Sequence, residues 1–120
     1  MEVPILKQGA FLIATIQAAL SDEDLLQLRA ALVQQVVRYR SLGVIIDVTA
    51  MDVMDSFASR TLSEISNIIR LRGAETVIVG IQPEVAFAMV QLGLTFGGVS
   101  TALDLEEGLA HMNQRMKALR

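Results

Sequence analysis

The chain has 120 residues, of which 52% are hydrophobic, and a formal net charge of −3. This length fits one domain with a hydrophobic core, and the absence of cysteine excludes disulfides, thiolate metal sites and cysteine catalysis. Acidic and basic residues are interspersed and aromatic residues make up only 4%, so neither a basic stripe nor a stacking platform favours nucleic acid as a partner.

The N-terminal segment and the lengths of the apolar runs indicate where in the cell the protein is expected. The opening residues, MEVPILKQGAF, lack the basic segment and the long apolar stretch of a secretory signal peptide. No apolar run approaches the roughly 18 residues that span a bilayer. We therefore expect a cytoplasmic protein without a membrane partner. The high apolar content of so small a domain also favours self-association as a dimer or a higher form.

The first half of the chain predicts a hairpin followed by a parallel crossover. The predicted strands of this half are 3–6, 11–16 and 44–48, with a tight turn at 7–10. Ser21 is predicted to cap the first helix, with Asp24 three residues later completing a capping box. Gly43 is predicted to end the helical region. The buried face of this helix is predicted from its spacing to comprise Leu25, Leu28, Leu32, Val36 and Tyr39.

The second half predicts two further strands, each joined to a helix, and a last amphipathic helix. The predicted elements are a loop over 49–55, a helix over about 56–72 that Gly73 ends, a strand over 76–81, a short helix from Pro83 to Gly93, a short edge strand within 96–100, and a helix marked by Leu105, Leu109, Met112 and Met116. The whole pattern predicts one α/β domain over 1–120. Its mixed sheet has four to five strands, an initial hairpin and then parallel crossovers, and four helices flank it.

Two loops follow neighbouring parallel strands, at the sheet edge where such folds bind their partners. They are 49–56 and Gln82-Pro83, and the first places Asp52, Asp55 and Ser56 before a helix. Asp55 or Ser56 could simply cap that helix, or Ser56 could accept phosphate from a protein kinase. An aspartyl-phosphate receiver is rejected, because 14–17 lacks the acidic pair that holds magnesium and 99–102 lacks the required lysine.

Side chains suited to catalysis are sparse. The only histidine, His111, falls on the last helix and is predicted to be a surface residue. Asp52 and Asp55, three apart in a loop, are a weak metal signal, and Gly97-Gly98 lacks the lysine of a phosphate-binding loop. We therefore predict no catalytic residue, no metal and no cofactor, and a protein that acts by binding other proteins.

The segments 3–7, 43–57, 76–83 and 101–109, taken together, resemble the STAS domain, which is shared by anti-sigma-factor antagonists and stressosome proteins. The resemblance covers nearly the whole chain. The triplet Asp55-Ser56-Phe57 resembles the RsbS branch of the family more than the sporulation-type antagonists, which typically continue Asp-Ser-Ser-Gly. The fold that the resemblance implies is the same mixed α/β domain.

The resemblance implies a phosphorylatable scaffold and antagonist in a stressosome. With RsbR-like STAS partners, such a protein sequesters an RsbT-like serine kinase until the serine matching Ser56 is phosphorylated, and an RsbX-like phosphatase resets it. The docking surface expected around Ser56 comprises Asp52, Val53, Met54, Asp55, Phe57, Ser59, Arg60 and Gln82. Ser59 is the rival phosphorylation site. The alternatives are a stand-alone STAS subunit of a transport or lipid-trafficking complex, or a sigma-regulator antagonist outside a stressosome.

Overall fold

The computed structural model of the protein describes residues 2–118. The strands are β1 Ile5–Gln8, β2 Phe11–Thr15, β3 Gly43–Asp47, β4 Glu75–Val79 and β5 Ser100–Ala102. The helices are α1 Asp22–Tyr39, α2 Ser56–Leu71, α3 Pro83–Gln91 and α4 Leu105–Ala118. Within this described range, none of the helices combines the length and the apolarity needed to cross a membrane.

The strands form one five-stranded sheet in which spatial order follows chain order. β1 pairs antiparallel with β2, and the later pairs are parallel. Ala14, Ile46 and Ile78 stand side by side across the three central strands. The predicted fold class, a hairpin followed by parallel crossovers, is confirmed. The continuous apolar runs of β2, β3 and β4 reflect burial on both faces of the sheet.

Two hydrophobic cores cover the two faces of the sheet. The larger core joins the strands to α1 and α2 through Leu12, Ala14, Val44, Ile46, Ile78, Leu25, Leu28, Leu32, Leu62, Ile65 and Ile69. The smaller core packs α4 against the opposite face through Phe11, Ile13, Ile45, Val77, Val79 and Met112. The helices of both faces therefore hold the strand ends, and the loops that leave them, in fixed positions.

Both ends of α1 are set by local chemistry. Ser21 caps the helix as predicted: its hydroxyl accepts the Asp24 N–H at 3.0 Å, and the Asp24 carboxylate accepts the Ser21 N–H at 3.0 Å. The prediction that Gly43 ends the helical region is wrong. The helix ends at Arg40, which adopts the left-handed conformation with φ 51°. Tyr39 is also wrongly predicted to be buried, since it is 40% exposed.

Gly43 is instead the first residue of β3, where side chains of neighbouring elements pack closely against its backbone. A Cβ atom there would lie 2.8 Å from Met112 Sδ, so the glycine lets α4 approach the start of the strand. Other predicted boundaries also differ from the structure. β1 covers Ile5–Gln8 and not 3–6, and the turn is confined to Gly9-Ala10, so Gln8 remains in the strand and pairs with Phe11. β5 lies at Ser100–Ala102 and not within 96–100.

Candidate functional site

The carboxyl ends of β3 and β4 form the edge of the sheet that carries the predicted loops. The Asp47 carboxylate accepts hydrogen bonds from the Thr49 backbone N–H at 2.9 Å and from the Thr49 hydroxyl at 2.6 Å. Gly80, just after β4, has φ 81°, and a Cβ atom there would collide with Thr49 Oγ1. Glycine is therefore required at this position on both conformational and steric grounds.

Gln82 joins the second loop to the first. Its side-chain Nε2 donates to the Thr49 carbonyl oxygen at 2.7 Å. Gln82 is also the N-cap residue of α3, but its side chain makes no capping hydrogen bond there, because it is directed across the edge. The two loops therefore share one edge of the sheet, as the sequence predicts.

The hydrogen bonds at the start of α2 show which of Asp55 and Ser56 caps the helix. Asp55 is the N-cap, with Oδ1 accepting the Ala58 N–H at 2.7 Å, and its carbonyl oxygen accepts the Ser59 N–H at 3.0 Å. Ser56 is consequently the first helical residue, and its side chain is exposed. Because Asp55 does the capping, the Ser56 hydroxyl is not committed to the helix end.

The residues that are expected to contact a partner differ in how far their side chains are buried. Asp52, Val53, Asp55 and Arg60 are exposed, with Val53 66% exposed, while Phe57 and Gln82 are half-buried. Met54 and Ser59 are buried, at 5% and 3% exposure. They belong to the side of the α2 start that faces inward, where Met54 packs into the larger core and the Ser59 hydroxyl donates to the Thr95 carbonyl oxygen at 3.4 Å. These two side chains are therefore corrected from surface contacts to interior ones, and Ser59 is less accessible to a kinase than Ser56.

A shallow groove runs from Ser56 along α2 and has a volume of about 310 Å³. Its wall across from the helix is the turn that follows α3, and its lining is Ser56, Ser59, Arg60, Ser63, Gly93, Leu94 and Thr95. The sequence reasoning missed this turn as part of the site. The signal for it is weak, because a contact between residues 59 and 95 has no local pattern in the sequence.

The outer face of α3 is the second feature that the sequence reasoning missed. Phe87, Val90 and Leu92 are 67%, 79% and 69% exposed. The helix is apolar on nearly its whole circumference, so the pattern predicts burial where the fold leaves the face open. The chain leaves α3 directly into the groove wall at Gly93, so the carboxyl end of this helix lies beside the groove.

A larger cavity, of about 820 Å³, lies at the opposite edge of the sheet. Its lining includes Phe11, Leu42 and Ala74, at or just before the amino ends of strands, together with Leu109 and Met116 of α4. It therefore contains none of the residues that the sequence analysis proposes for phosphorylation or partner docking. Within residues 2–118, no group of three or more histidine or carboxylate side chains is arranged to hold a metal ion.

Known proteins resemble this chain in sequence and in fold. Residues 2–107 match the STAS domain family. A solved serine-to-glutamate variant of RsbS from Moorella thermoacetica has 32% identity and a TM-score of 0.84, over 98% of this chain and 99% of that one. A chain from a solved stressosome architecture has 34% identity and a TM-score of 0.80, over 94% and 98%.

A curated relative extends the comparison to longer proteins. The RsbT co-antagonist protein RsbRA of Bacillus subtilis is 36% identical over 78 residues, which are 65% of this chain. The match spans only 28% of RsbRA, so it concerns one part of that protein.

Proposed function

The chain belongs to the STAS domain family, and on that basis we propose that it is a phosphorylatable scaffold and antagonist of a stressosome, which holds a serine kinase until Ser56 is phosphorylated. In this proposal residues 1–120 form a single STAS domain that acts by binding. Its partners are RsbR-like STAS proteins, an RsbT-like serine kinase and an RsbX-like phosphatase, and it self-associates as a dimer or a higher form.

The observation that carries the proposal is the exposed Ser56 hydroxyl at the first position of α2. A kinase requires a hydroxyl that it can reach and that the fold does not need. Asp55 satisfies the helix end, so the phosphoryl group can be added to Ser56 without removing a cap. The similarity to RsbS over nearly the full length of both chains supports the same assignment.

Phosphorylation would change the surface more than the fold. A phosphoserine carries about −1.5 to −2 charges at neutral pH. The first turn of α2 contains no acidic residue, and a helix amino end favours an anion. The exposed Asp52 and Asp55, however, already make this edge acidic. A partner that contacts Val53 and Phe57 would therefore meet like-charge repulsion and a cost of desolvation after the reaction.

The similarity to RsbRA supports the choice of partners. That relative is named as a co-antagonist of RsbT, and it shares 36% identity with this chain over 78 residues. Two STAS domains this similar present related surfaces, and the side-by-side packing of such domains would generate a mixed scaffold. The kinase would then be held by a surface to which both proteins contribute.

The test uses the purified full chain, an RsbR-like partner and the cognate RsbT-like kinase. Light scattering of the chain with the partner should give an assembly far larger than either protein, and the kinase should co-elute with it. Addition of ATP should phosphorylate Ser56, as mapped by mass spectrometry, and release the kinase. A chain that forms no large assembly, captures no kinase and receives no phosphate would rule out the proposed function. Phosphate on Thr61 or Ser59 with Ser56 untouched would overturn the site alone.

A further inference from the structure

We propose that Arg60 binds the phosphate carried by Ser56 of the same chain, and that this contact is part of the switch. The inference rests on the proposed function in one respect only, namely that Ser56 is the residue that is phosphorylated. It assigns Arg60 a partner within the chain, in place of a purely intermolecular contact.

The spacing of the two residues places them together. Both lie in α2, four residues apart, and side chains at this spacing are neighbours on one helix face, with Cβ atoms about 5–6 Å apart. Both are exposed, and both line the 310 Å³ groove. A phosphoryl group on Ser56 would therefore extend toward the guanidinium group of Arg60, which can donate two parallel hydrogen bonds to phosphate oxygens.

The Arg60 side chain is available for a new ion pair, whereas other charged side chains of α2 already have partners. Its most favourable carboxylate by spacing is Glu64, four residues later, but Glu64 pairs with Arg29 of α1. Arg70, the cation near the other end of α2, donates to the Gly98 carbonyl oxygen at 2.7 Å. In the part of the chain that the structure describes, Arg60 makes no ion pair or side-chain hydrogen bond. An exposed guanidinium next to a hydroxyl that gains charge is therefore free to receive it.

The amino end of α2 is only partly available to the phosphate. The Asp55 carboxylate occupies the Ala58 N–H, and the Asp55 carbonyl oxygen occupies the Ser59 N–H. Asp52 and Asp55 also oppose a second anion at close range. Arg60 supplies the positive charge that offsets them. The phosphate is thereby drawn along the helix, away from the loop and over the groove.

The contact would give the switch two effects at once. Before phosphorylation, Arg60 leaves an exposed positive charge, unpaired within the described residues, on the expected docking surface. Afterwards the phosphate engages that same guanidinium, so the docking surface loses a cation while it gains an anion. Arg60 is thus a positioning residue for the phosphate and a reporter of the phosphorylation state.

The decisive measurement is a phosphorus NMR titration of the full chain with phosphoserine installed at position 56 during translation. A nearby cation favours the dianion and lowers the second pKa of the phosphate, so Arg60→Gln should raise that pKa by about 0.3 units, the size expected of an exposed ion pair. Arg60→Lys should retain most of the effect. Arg72→Gln, which removes an exposed cation beyond the far end of α2, is the matched control and should leave the pKa unchanged.

The outcomes separate this inference from the proposed function. Equal pKa values in the phosphorylated wild type and Arg60→Gln, with both proteins folded by circular dichroism, would overturn the contact. Installing the phosphoserine during translation keeps the titration independent of any kinase. A shifted pKa together with a chain that forms no large assembly, captures no kinase and receives no phosphate would therefore support the contact and refute the proposed function. Equal pKa values together with kinase capture and phosphorylation of Ser56 would support the proposed function and refute the contact.

Discussion

The side-chain amide of Gln82 lies 2.7 Å from the carbonyl oxygen of Thr49, so the loop after β4 supports the loop that leads to Ser56. The two residues are 33 positions apart, and their contact depends on the parallel pairing of β3 with β4. This hydrogen bond joins the first turn of one loop to the N-cap residue of α3.

We predict that Gln82→Ala loosens the 49–55 loop with little effect on the rest of the fold. A single partly exposed hydrogen bond contributes about 1 kcal/mol, so the free energy of unfolding should fall by about that amount or less. Hydrogen exchange at residues 49–55 should accelerate, while exchange in β2 should be unchanged. Gln91→Ala, at the exposed far end of α3, is the control. Equal exchange in the two variants would contradict the prediction.

We predict that Asp55→Ala shifts the start of α2 and costs about 1 kcal/mol of stability, because the Ala58 N–H loses its carboxylate acceptor. Asp55→Ser should recover most of the loss, since serine is also a good N-cap residue. Chemical denaturation of the three proteins measures the difference. The control is Asp52→Ala, which removes an exposed acid from the loop before the helix and should change the stability little. Comparable losses for Asp52→Ala and Asp55→Ala would show that the cap is not the cause.

We predict opposite effects on kinase capture from two changes at Ser56. Ser56→Ala should still bind the kinase and should receive no phosphate at the main site, so the complex persists in the presence of ATP. Ser56→Asp should weaken capture, because it adds a charge beside Asp52 and Asp55. Its stability should change by about 1 kcal/mol or less, since an acid at the first helical position suits the helix dipole. Binding isotherms and melting curves measure both effects. Unaltered capture by Ser56→Asp and by the phosphorylated chain would refute the charge mechanism.

We predict that Gly80→Ala destabilises the protein by about 2 kcal/mol or more. The methyl group would collide with Thr49 Oγ1, and φ 81° is strained for alanine. Gly97→Ala is the matched control, because nothing lies within 4 Å of its Cβ position and its φ is ordinary. Urea denaturation should separate the two variants clearly. A Gly80→Ala protein as stable as the control would show that the loop can move away at little cost.

The sequence predicts well those features whose causes are local. The capping box at Ser21 and Asp24, the α2 start beside Ser56, and Gly73 after the end of α2 are all readable from neighbouring residues. The edge shared by the two loops also follows, because the order of strands and helices fixes it. These features place Ser56 at the start of a helix, as the structure does.

Features that depend on packing between distant segments were not predicted. Met54 is buried because it packs into the larger core, and Ser59 is buried on the inner face of α2. The hydrogen bond from Ser59 to Thr95 joins residues 36 positions apart. The open face of α3 is apolar, so its composition gives no sign that it is exposed.

The match between spatial and chain order in the sheet has a consequence for synthesis on the ribosome. Each strand pairs with the one made before it, so the sheet can grow by addition as the chain emerges. The Ser56 edge needs β3, β4 and Gln82, and the groove beside it needs Thr95. All of these precede α4, which covers the opposite face of the sheet. A chain synthesised as far as Thr95 therefore already contains every segment of the Ser56 edge and its groove, before any residue of α4 has been added.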